Sequence, residues 1–516
     1  MDRLTTSLSS IRDNGVVIWV DNDQLRYRAP RGALSAEQIA LLREMKDEII
    51  TLLSERPTLF TSAKASVYQS TCDVAPLGLQ QEFYLSMVRG HDRSSDTLVP
   101  VIVPIALRIS GPLDTNALSN SLNAMIRRHE SLRTRIVLIG GVPMQKIDEP
   151  AEFRLPIVDC AGSSMSEIEG NAQRIVKEFF NRPTDLQVGP TFDGRLIRLA
   201  KHEYVLALAW DHLTNDSSSL VLLFRELWRL YGDIVLGRNP ALDKMPPQYA
   251  DYAVWQRKAY RRWLHEHDGY WREKLSEAVP ITMPVDTGLA NVEPCTGAVM
   301  RFSFGKVLSD ALHNLARDNR TLPGMILLTI YATAVFRICQ QRDFVIPFCV
   351  TGRRYPEDSE VIGSFAHQLL LRIRMTGNEA FSHLLRIVSN EFLLTNEHLD
   401  YGRNYDQKPL CHGMMLIWYP WSSGVIMEGQ SSESQRGLSI SPFQTQSAPD
   451  LPTSFKTSEC FRWALTLENR PEGIFAMFSY RADLYALDTM RRFVKEILEF
   501  AEHVVANARA PVASFH

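Results

Sequence analysis

The chain has 516 residues, 45% of them hydrophobic and 22% charged, with a formal net charge of −3. That length accommodates two or three domains and a large core that needs neither disulfides nor metals. The small net charge excludes a general electrostatic attraction to nucleic acid or to an acidic membrane. The seven cysteines (Cys72, Cys160, Cys295, Cys339, Cys349, Cys411 and Cys460) are scattered without a Cys-x-x-Cys pair. They suggest neither a zinc site nor a disulfide framework, and no metal is expected. The N-terminus lacks a basic segment leading into an apolar stretch, so no secretory signal is read. The longest apolar run, Met325 to Phe336, is broken by two threonines and followed by Arg337. It is too short to span a bilayer and predicts a buried core helix. A reducing cytoplasm is the expected compartment.

In chain order, the first segment reads as a small α-β-β-α module. Leu4, Leu8 and Ile11 form one face of a short helix that Gly15 can end. The run Val16 to Val20 is β-rich, Asp21-Asn22-Asp23 supplies a turn, and Leu25 to Arg28 alternates as a half-exposed strand does. Pro30 and Gly32 close the pair. Ser35 with Gln38 forms a capping box for a second helix, with Leu34 and Ile39 placed as a staple. Ile39, Leu42, Met45, Ile49 and Leu53 continue its apolar stripe to Arg56-Pro57. Residues 57–74, rich in Ser and Thr, are read as a linker.

The remainder alternates strands and helices. Val101 to Ile109 predicts a strand, and Asp114 a cap for a helix carrying Leu118, Leu122, Met125 and Ile126. Tyr204 to Trp210 is apolar on both faces, the mark of a central strand. Ser217 to about Tyr231 and Gln248 to about Leu275 predict helices, the second weakened at Gly269. Later strands are expected at Met300–Phe304, Phe344–Val350, Met414–Trp418, Trp463–Leu467 and Ile474–Tyr480. Helices are expected at Pro323–Arg337 and about Ala486–Val504. Residues 428–455, dense in Ser, Gln and Pro, read as a loop. Two halves of similar αβ composition suggest a body of two lobes with a site in the cleft between them.

The stretch Trp210-Asp211-His212-Leu213-Thr214-Asn215-Asp216-Ser217 is the most informative. A buried strand ends there and a long helix begins within a few residues, so the sheet fixes the position of a polar loop. A histidine in that place can deprotonate an attacking amine or hydroxyl, or steer it by a hydrogen bond. It can equally be a satisfied structural residue. Asp216, just ahead of Ser217-Ser218-Ser219, can be a helix N-cap.

This stretch resembles the HHxxxDG motif of the condensation domains of non-ribosomal peptide synthetases. His212 matches the second His and Asp216 the Asp. Other segments match the family in the same order. Pro76-Leu77-Gly78-Leu79-Gln80-Gln81 is similar to PLSxxQ, and Arg128 to Thr134 to RHExLRT. Tyr249 to Arg257 resembles YxDYAxWQR, followed by the pair Tyr270-Trp271. Val350-Thr351-Gly352-Arg353 resembles VxGR. Ile362 to Leu369 resembles IGxFVNTL, with His367 where Asn is usual. The resemblance covers residues of about 75 to 510, and the DYAxWQR segment favours condensation over epimerisation.

The resemblance implies an α/β (α+β) fold of two chloramphenicol-acetyltransferase-like lobes in a V shape, preceded by the small α-β-β-α module. It implies the division 1–56 docking module, 57–74 linker, 75–285 N-lobe and 286–516 C-lobe. It further implies acyl transfer in a tunnel between the lobes. The donor would be an acyl thioester on a carrier protein and the acceptor an amine or alcohol. No bound cofactor is expected; phosphopantetheine would be supplied in trans by the carrier. His212 would be the catalytic residue, with Asp216, Arg353 and Asp211 as structural residues of the active site. Asp216 and Arg353 would form an ion pair. The chain departs from the motif at Asp211, in place of the first His, and at Ser217, in place of the final Gly. Asp211 can orient an imidazole, but a neighbour on a strand points the other way. Ser217 requires ordinary backbone dihedrals.

Residues 1–56 resemble the β-hairpin docking domains at the N-termini of assembly-line proteins. Such a module would bind a short acidic tail at the C-terminus of an upstream carrier protein by strand addition, with Arg26, Arg28 and Arg31 attracting it; a solvated strand face is the alternative for these arginines. No adenylation, carrier or thioesterase segment is read after residue 510, so action in trans or chain release is expected. Two other readings stand beside the enzyme. One is a non-catalytic condensation-like body that recruits carrier proteins. The other is an acyltransferase that uses soluble acyl-CoA.

Overall fold

The computed structural model describes residues 17–21, 24–28, 39, 42–55, 73–89, 102–182, 185–238, 245–286, 292–399, 414–419, 437–443, 455–456 and 461–508. In chain order, the N-terminal part holds β1 (Val17–Asp21), β2 (Gln24–Arg28) and α1 (Lys46–Glu55). Then follow β3 (Val74–Pro76), α2 (Leu79–Arg89), β4 (Ile102–Ser110), α3 (Thr115–Arg128), β5 (Thr134–Ile139), β6 (Val142–Ile147), β7 (Ile157–Asp159) and α4 (Met165–Phe180). Next come β8 (Phe192–Ala200), β9 (Glu203–Asp211), α5 (Ser217–Val235), α6 (Tyr249–Leu275), β10 (Thr296–Ser303), α7 (Gly305–Asp318), α8 (Pro323–Cys339) and β11 (Asp343–Val350). The last are β12 (His367–Arg374), α9 (Phe381–Glu397), β13 (Met414–Tyr419), β14 (Ser439–Pro442), β15 (Phe455–Lys456), β16 (Trp463–Arg470), β17 (Gly473–Arg481) and α10 (Leu487–Ala506). No single described helix is long and apolar enough to cross a membrane.

The chain divides into a unit of residues 1–70 with 353–360 and a unit of 71–352 with 361–516. In the first, β1 and β2 pair antiparallel, with Trp19 opposite Arg26 and Val17 opposite Arg28. Helical residues 42–44 reach α1 across a turn at Met45, and Leu42 and Ile49 of the expected stripe are buried. The expected first helix, the capping box at Ser35, Arg31 and the expected linker up to residue 72 lie outside the described residues.

The second unit holds two larger sheets. The first is five-stranded in the order β14-β4-β9-β8-β7, which puts β9 at its centre. Alternation along β9 supplies both faces. Tyr204, Leu206, Leu208 and Trp210 pack against Leu118, Leu122 and Met125 of α3 and Leu223, Phe224 and Leu227 of α5. Val205, Ala207 and Ala209 pack against Ala172, Val176 and Phe179 of α4. Asp114 caps α3 by accepting from Asn116 N and Ala117 N, as its sequence predicts. The second sheet is seven-stranded in the order β12-β11-β13-β16-β17-β10-β15. Its core includes the almost wholly apolar α8, with Pro323 at the first turn, where a missing N–H costs nothing.

Two elements differ from the sequence expectation. α6 runs unbroken through Gly269. A helical glycine costs about 1 kcal/mol against alanine, and the burial of Trp263 and Trp271 on either side outweighs it. Within the expected loop 428–455, β14 forms and pairs antiparallel with β4, Ile440 opposite Ile109. Ile440 is buried in the core of the five-stranded sheet, and Phe443 N donates to Ala106 O (2.9 Å). A strand from the C-terminal half thus completes the sheet of the N-terminal half.

The two halves also meet at Gly363. A Cβ placed there would lie 2.0 Å from Cδ2 of Tyr249, the first residue of α6. Gly363→Ala is therefore expected to destabilise the protein by about 1–3 kcal/mol, read as a lower urea midpoint. An unchanged midpoint would mean that this approach is not as close as described.

Candidate active site

β9 delivers its last residue, Asp211, fully buried. Asp211 N donates to Thr191 O (2.8 Å), and Asp211 Oδ1 accepts from Leu213 N (2.7 Å). Its carbonyl accepts from Thr214 N (3.1 Å), Thr214 Oγ1 (3.0 Å) and Asn215 Nδ2 (2.7 Å). This knots the chain into a side-chain-closed turn. The carboxylate of Asp211 is thus engaged by the backbone beyond the histidine, in keeping with a strand neighbour that faces away from it.

The loop ends at Asp216, the N-cap of α5. Its backbone is extended (φ −138°, ψ 177°), and Oδ1 accepts from Ser219 N (2.8 Å). Ser217 then begins the helix with ordinary dihedrals, and it is not among the described residues with positive φ. Serine in place of glycine therefore imposes no strain there. The second oxygen of Asp216 faces the other half of the chain: Phe365 N donates to Oδ2 (3.0 Å).

Every residue from Tyr204 to Asp216 is buried except His212, which is half-buried. Its Nδ1 is buried without a well-formed hydrogen bond. The ring stacks on Tyr84 of α2, with centroids 4.6 Å apart and planes inclined by 29°. Dense packing holds the imidazole pKa below its ordinary 6.5, against the opposing pull of nearby backbone groups and of Asp216. The ring is uncharged at neutral pH and offers a lone pair.

The other family motifs surround this loop. Gln81 Nε2 donates to the carbonyl of Leu213 (2.8 Å), while its Oε1 accepts from Gly78 N (2.8 Å). Gln256 Oε1 accepts from Leu79 N (2.8 Å), its Nε2 donates to Gln80 Oε1 (2.9 Å), and Arg257 Nε donates to Leu77 O (2.8 Å). Four consecutive residues of the C-terminal half are held by side chains of the N-terminal half. Ser131 Oγ donates to Ile362 O (2.6 Å), and Ser219 Oγ accepts from Gly363 N (3.0 Å). Tyr249 OH donates to Ser364 O (2.7 Å), and Asp216 takes Phe365 N. His367 Nδ1 lies 2.6 Å from Phe365 O, so that nitrogen carries the proton, and Nε2 faces Gln80 Nε2. Gly352 has φ +68°, and a Cβ there would meet Phe365 O at 1.9 Å, so the glycine of the VTGR element is required by space.

Arg353 donates through Nε to Asp358 O (3.2 Å) and lies in the segment grouped with the N-terminal unit. Its pairing with Asp216 remains an expectation of the sequence. Arg26 and Arg28 lie on β2, and Arg31 falls outside the described residues. Sequence reasoning missed Tyr84 and Ser219. The position of Tyr84, three residues after Gln81 on one helix, was the available signal.

The condensation-domain family matches residues 91–516, and the TubC N-terminal docking-domain family matches residues 7–55. The chain belongs to the condensation-domain family. Its N-terminal segment is a docking domain of the TubC type. A linear gramicidin synthase protein from Brevibacillus parabrevis is 31% identical over 417 residues, covering 78% of this chain and 5% of that protein. The chain spans less than a tenth of the length of the first curated relatives it matches. Among solved structures, the SgcC5 protein from Streptomyces globisporus superposes with a TM-score of 0.70 at 22% identity, covering 84% of this chain and 100% of that one. The EpoB cyclization-docking bidomain from Sorangium cellulosum does so at 0.70 and 16% identity, covering 97% and 98%. These likenesses show the two-lobed, chloramphenicol-acetyltransferase-like fold of condensation domains.

Asp216→Asn keeps an oxygen for the cap but presents an amide group to Phe365 N–H. It is expected to cost about 1–3 kcal/mol, measured by urea denaturation. A cost near zero would mean that the second oxygen bears no weight.

Proposed function

We propose that this condensation domain catalyses transfer of an acyl chain from a carrier-bound phosphopantetheine thioester to an amine or hydroxyl acceptor, with His212 at the reacting centre. The nucleophile would surrender its proton to, or be aligned by, His212 Nε2 as it attacks the thioester carbonyl. Collapse of the adduct expels the phosphopantetheine thiolate, which takes up the proton. An amide or an ester results, and a free acceptor would release the chain from its carrier. The observation that carries this reading is the one residue only half-buried, an uncharged histidine, in an otherwise buried run from Tyr204 to Asp216. The replacements at Asp211 and Ser217 preserve the loop, which favours an active enzyme over a carrier-recruiting body without catalysis.

Asp216 and Asp211 serve this reading as structural groups. Residues 1–56 are proposed to recognise a short acidic tail at the C-terminus of the donor carrier, with Arg26, Arg28 and Arg31 supplying the attraction. Dependence on the carrier, rather than on soluble acyl-CoA, separates this reading from the other acyltransferase.

His212→Ala is expected to lower turnover with loaded carrier by about 10²–10⁴-fold; unchanged turnover removes His212 from catalysis. In the native protein, activity is expected to fall as pH drops through the depressed imidazole pKa, on the acid side of 6.5. Stability moves with it, because charging this packed ring favours the unfolded chain: the contribution is present above 6.5 and is lost below. A profile flat through that range would contradict the assignment. Deleting residues 1–56 is expected to leave the thermal midpoint of the remaining domain intact and to raise the KM for the cognate carrier. Equal transfer at low carrier concentration would count against the docking role.

A further inference from the structure

Gln81 and Tyr84 occupy positions i and i+3 of α2, which project from one side of a helix. Each reaches the same loop from that side. Gln81 Nε2 holds the carbonyl of Leu213, the residue that follows His212. Tyr84 lays its ring on the imidazole itself, at 4.6 Å and 29°. The two contacts differ in kind. Gln81 fixes the backbone, whereas Tyr84 alone among the described ring contacts touches the imidazole of His212.

Tyr84 joins the site to the core, packing also against the cluster of Leu77, Leu85, Ile136, Leu186 and Leu213. Tyr84 is half-buried, like His212, while its neighbours Phe83 and Leu85 are buried. The ring covers one face of the imidazole. Nδ1 of His212 is buried without a well-formed hydrogen bond. The stack is a contact of defined geometry on that ring, beside the pull of the backbone at His212 and Asn215.

We propose that Tyr84 is a positioning residue for acyl transfer: its ring holds the plane of the His212 imidazole, and so the aim of Nε2, and shields one face of it from water. This inference rests on the reading of His212 as the group that meets the acceptor. The charged groups around the pair are Asp211 and Asp216, both in the loop that carries His212. Asp211 acts on the phenol and Asp216 on the imidazole. Burial followed by the Asp211 charge raises the phenol far above its ordinary value, so Tyr84 stays neutral.

The test compares Tyr84→Leu and Tyr84→Phe with the native full-length chain in transfer from loaded carrier. It is coupled to the titration of the His212 ring signal, identified by its loss in His212→Ala. Tyr84→Leu is expected to lower kcat by about tenfold or more with KM changed less than about twofold. It should also move the acidic limb of the rate profile, and the His212 titration midpoint, upward as water reaches the ring. Tyr84→Phe, which keeps the stack, should restore most of kcat and the native midpoint. A Leu variant with native kcat and native midpoint would overturn the proposal, and so would a Phe variant as impaired as Leu. Full turnover in His212→Ala would instead overturn the reading of His212, while the titration in the Leu and Phe variants would still report whether Tyr84 holds the ring.

Discussion

The carboxylate of Asp216 works in two directions, and the arrangement of the candidate site depends on it. One oxygen caps α5 and thereby ends the His212 loop at a fixed point. The other accepts the N–H of Phe365 from the opposite half of the chain. An N-cap is worth about 0.5–2 kcal/mol, and a hydrogen bond to a charged group about 1.5–3 kcal/mol. These sums are modest against the cost of a buried carboxylate without donors. The consequence is geometric: the loop that presents His212 and the strand that leads to His367 are held by the same two oxygens.

The scattering of the family motifs follows from this constraint. Residues 362–365 run between the halves with backbone groups that no sheet satisfies along their whole length, and buried backbone groups must be paired. Ser131, Ser219, Tyr249 and Asp216 supply the partners, each from the N-terminal half. The short motifs are thus contact points on one irregular strand, and most of their polar residues have structural employment. His212 is the exception. It sits among them half-buried, with Nδ1 lacking a well-formed hydrogen bond, which is why the proposed chemistry is assigned to it.

Much of this was legible from residues alone. The two-faced apolar run of β9 announced a central strand because both of its faces are covered by helices, and Asp114 announced a cap because its side chain serves its own neighbours. Both are local or periodic properties. Asp216 was readable as a cap for the same reason, but its second partner is not: Phe365 is distant in sequence, and nothing in the pattern of either segment names the other. β14 escaped for a like reason. A serine-rich tetrapeptide has no strand signal strong enough to stand alone, and it becomes a strand because the edge of β4 offers unpaired backbone groups. The stack of Tyr84 on His212 also joins remote segments. The family resemblance anticipated the convergence of the motifs without specifying which atoms meet.

The most direct test of this account is amide hydrogen exchange at Phe365, compared between the native chain and Asp216→Ala. If Asp216 couples the two halves, the Phe365 N–H of the native protein exchanges as slowly as amides in the middle of β9. In the variant it becomes fast, while the β9 amides keep their protection. Rapid exchange in the native protein, or protection that survives the loss of the carboxylate, would contradict the claim that one side chain sets the position of both segments.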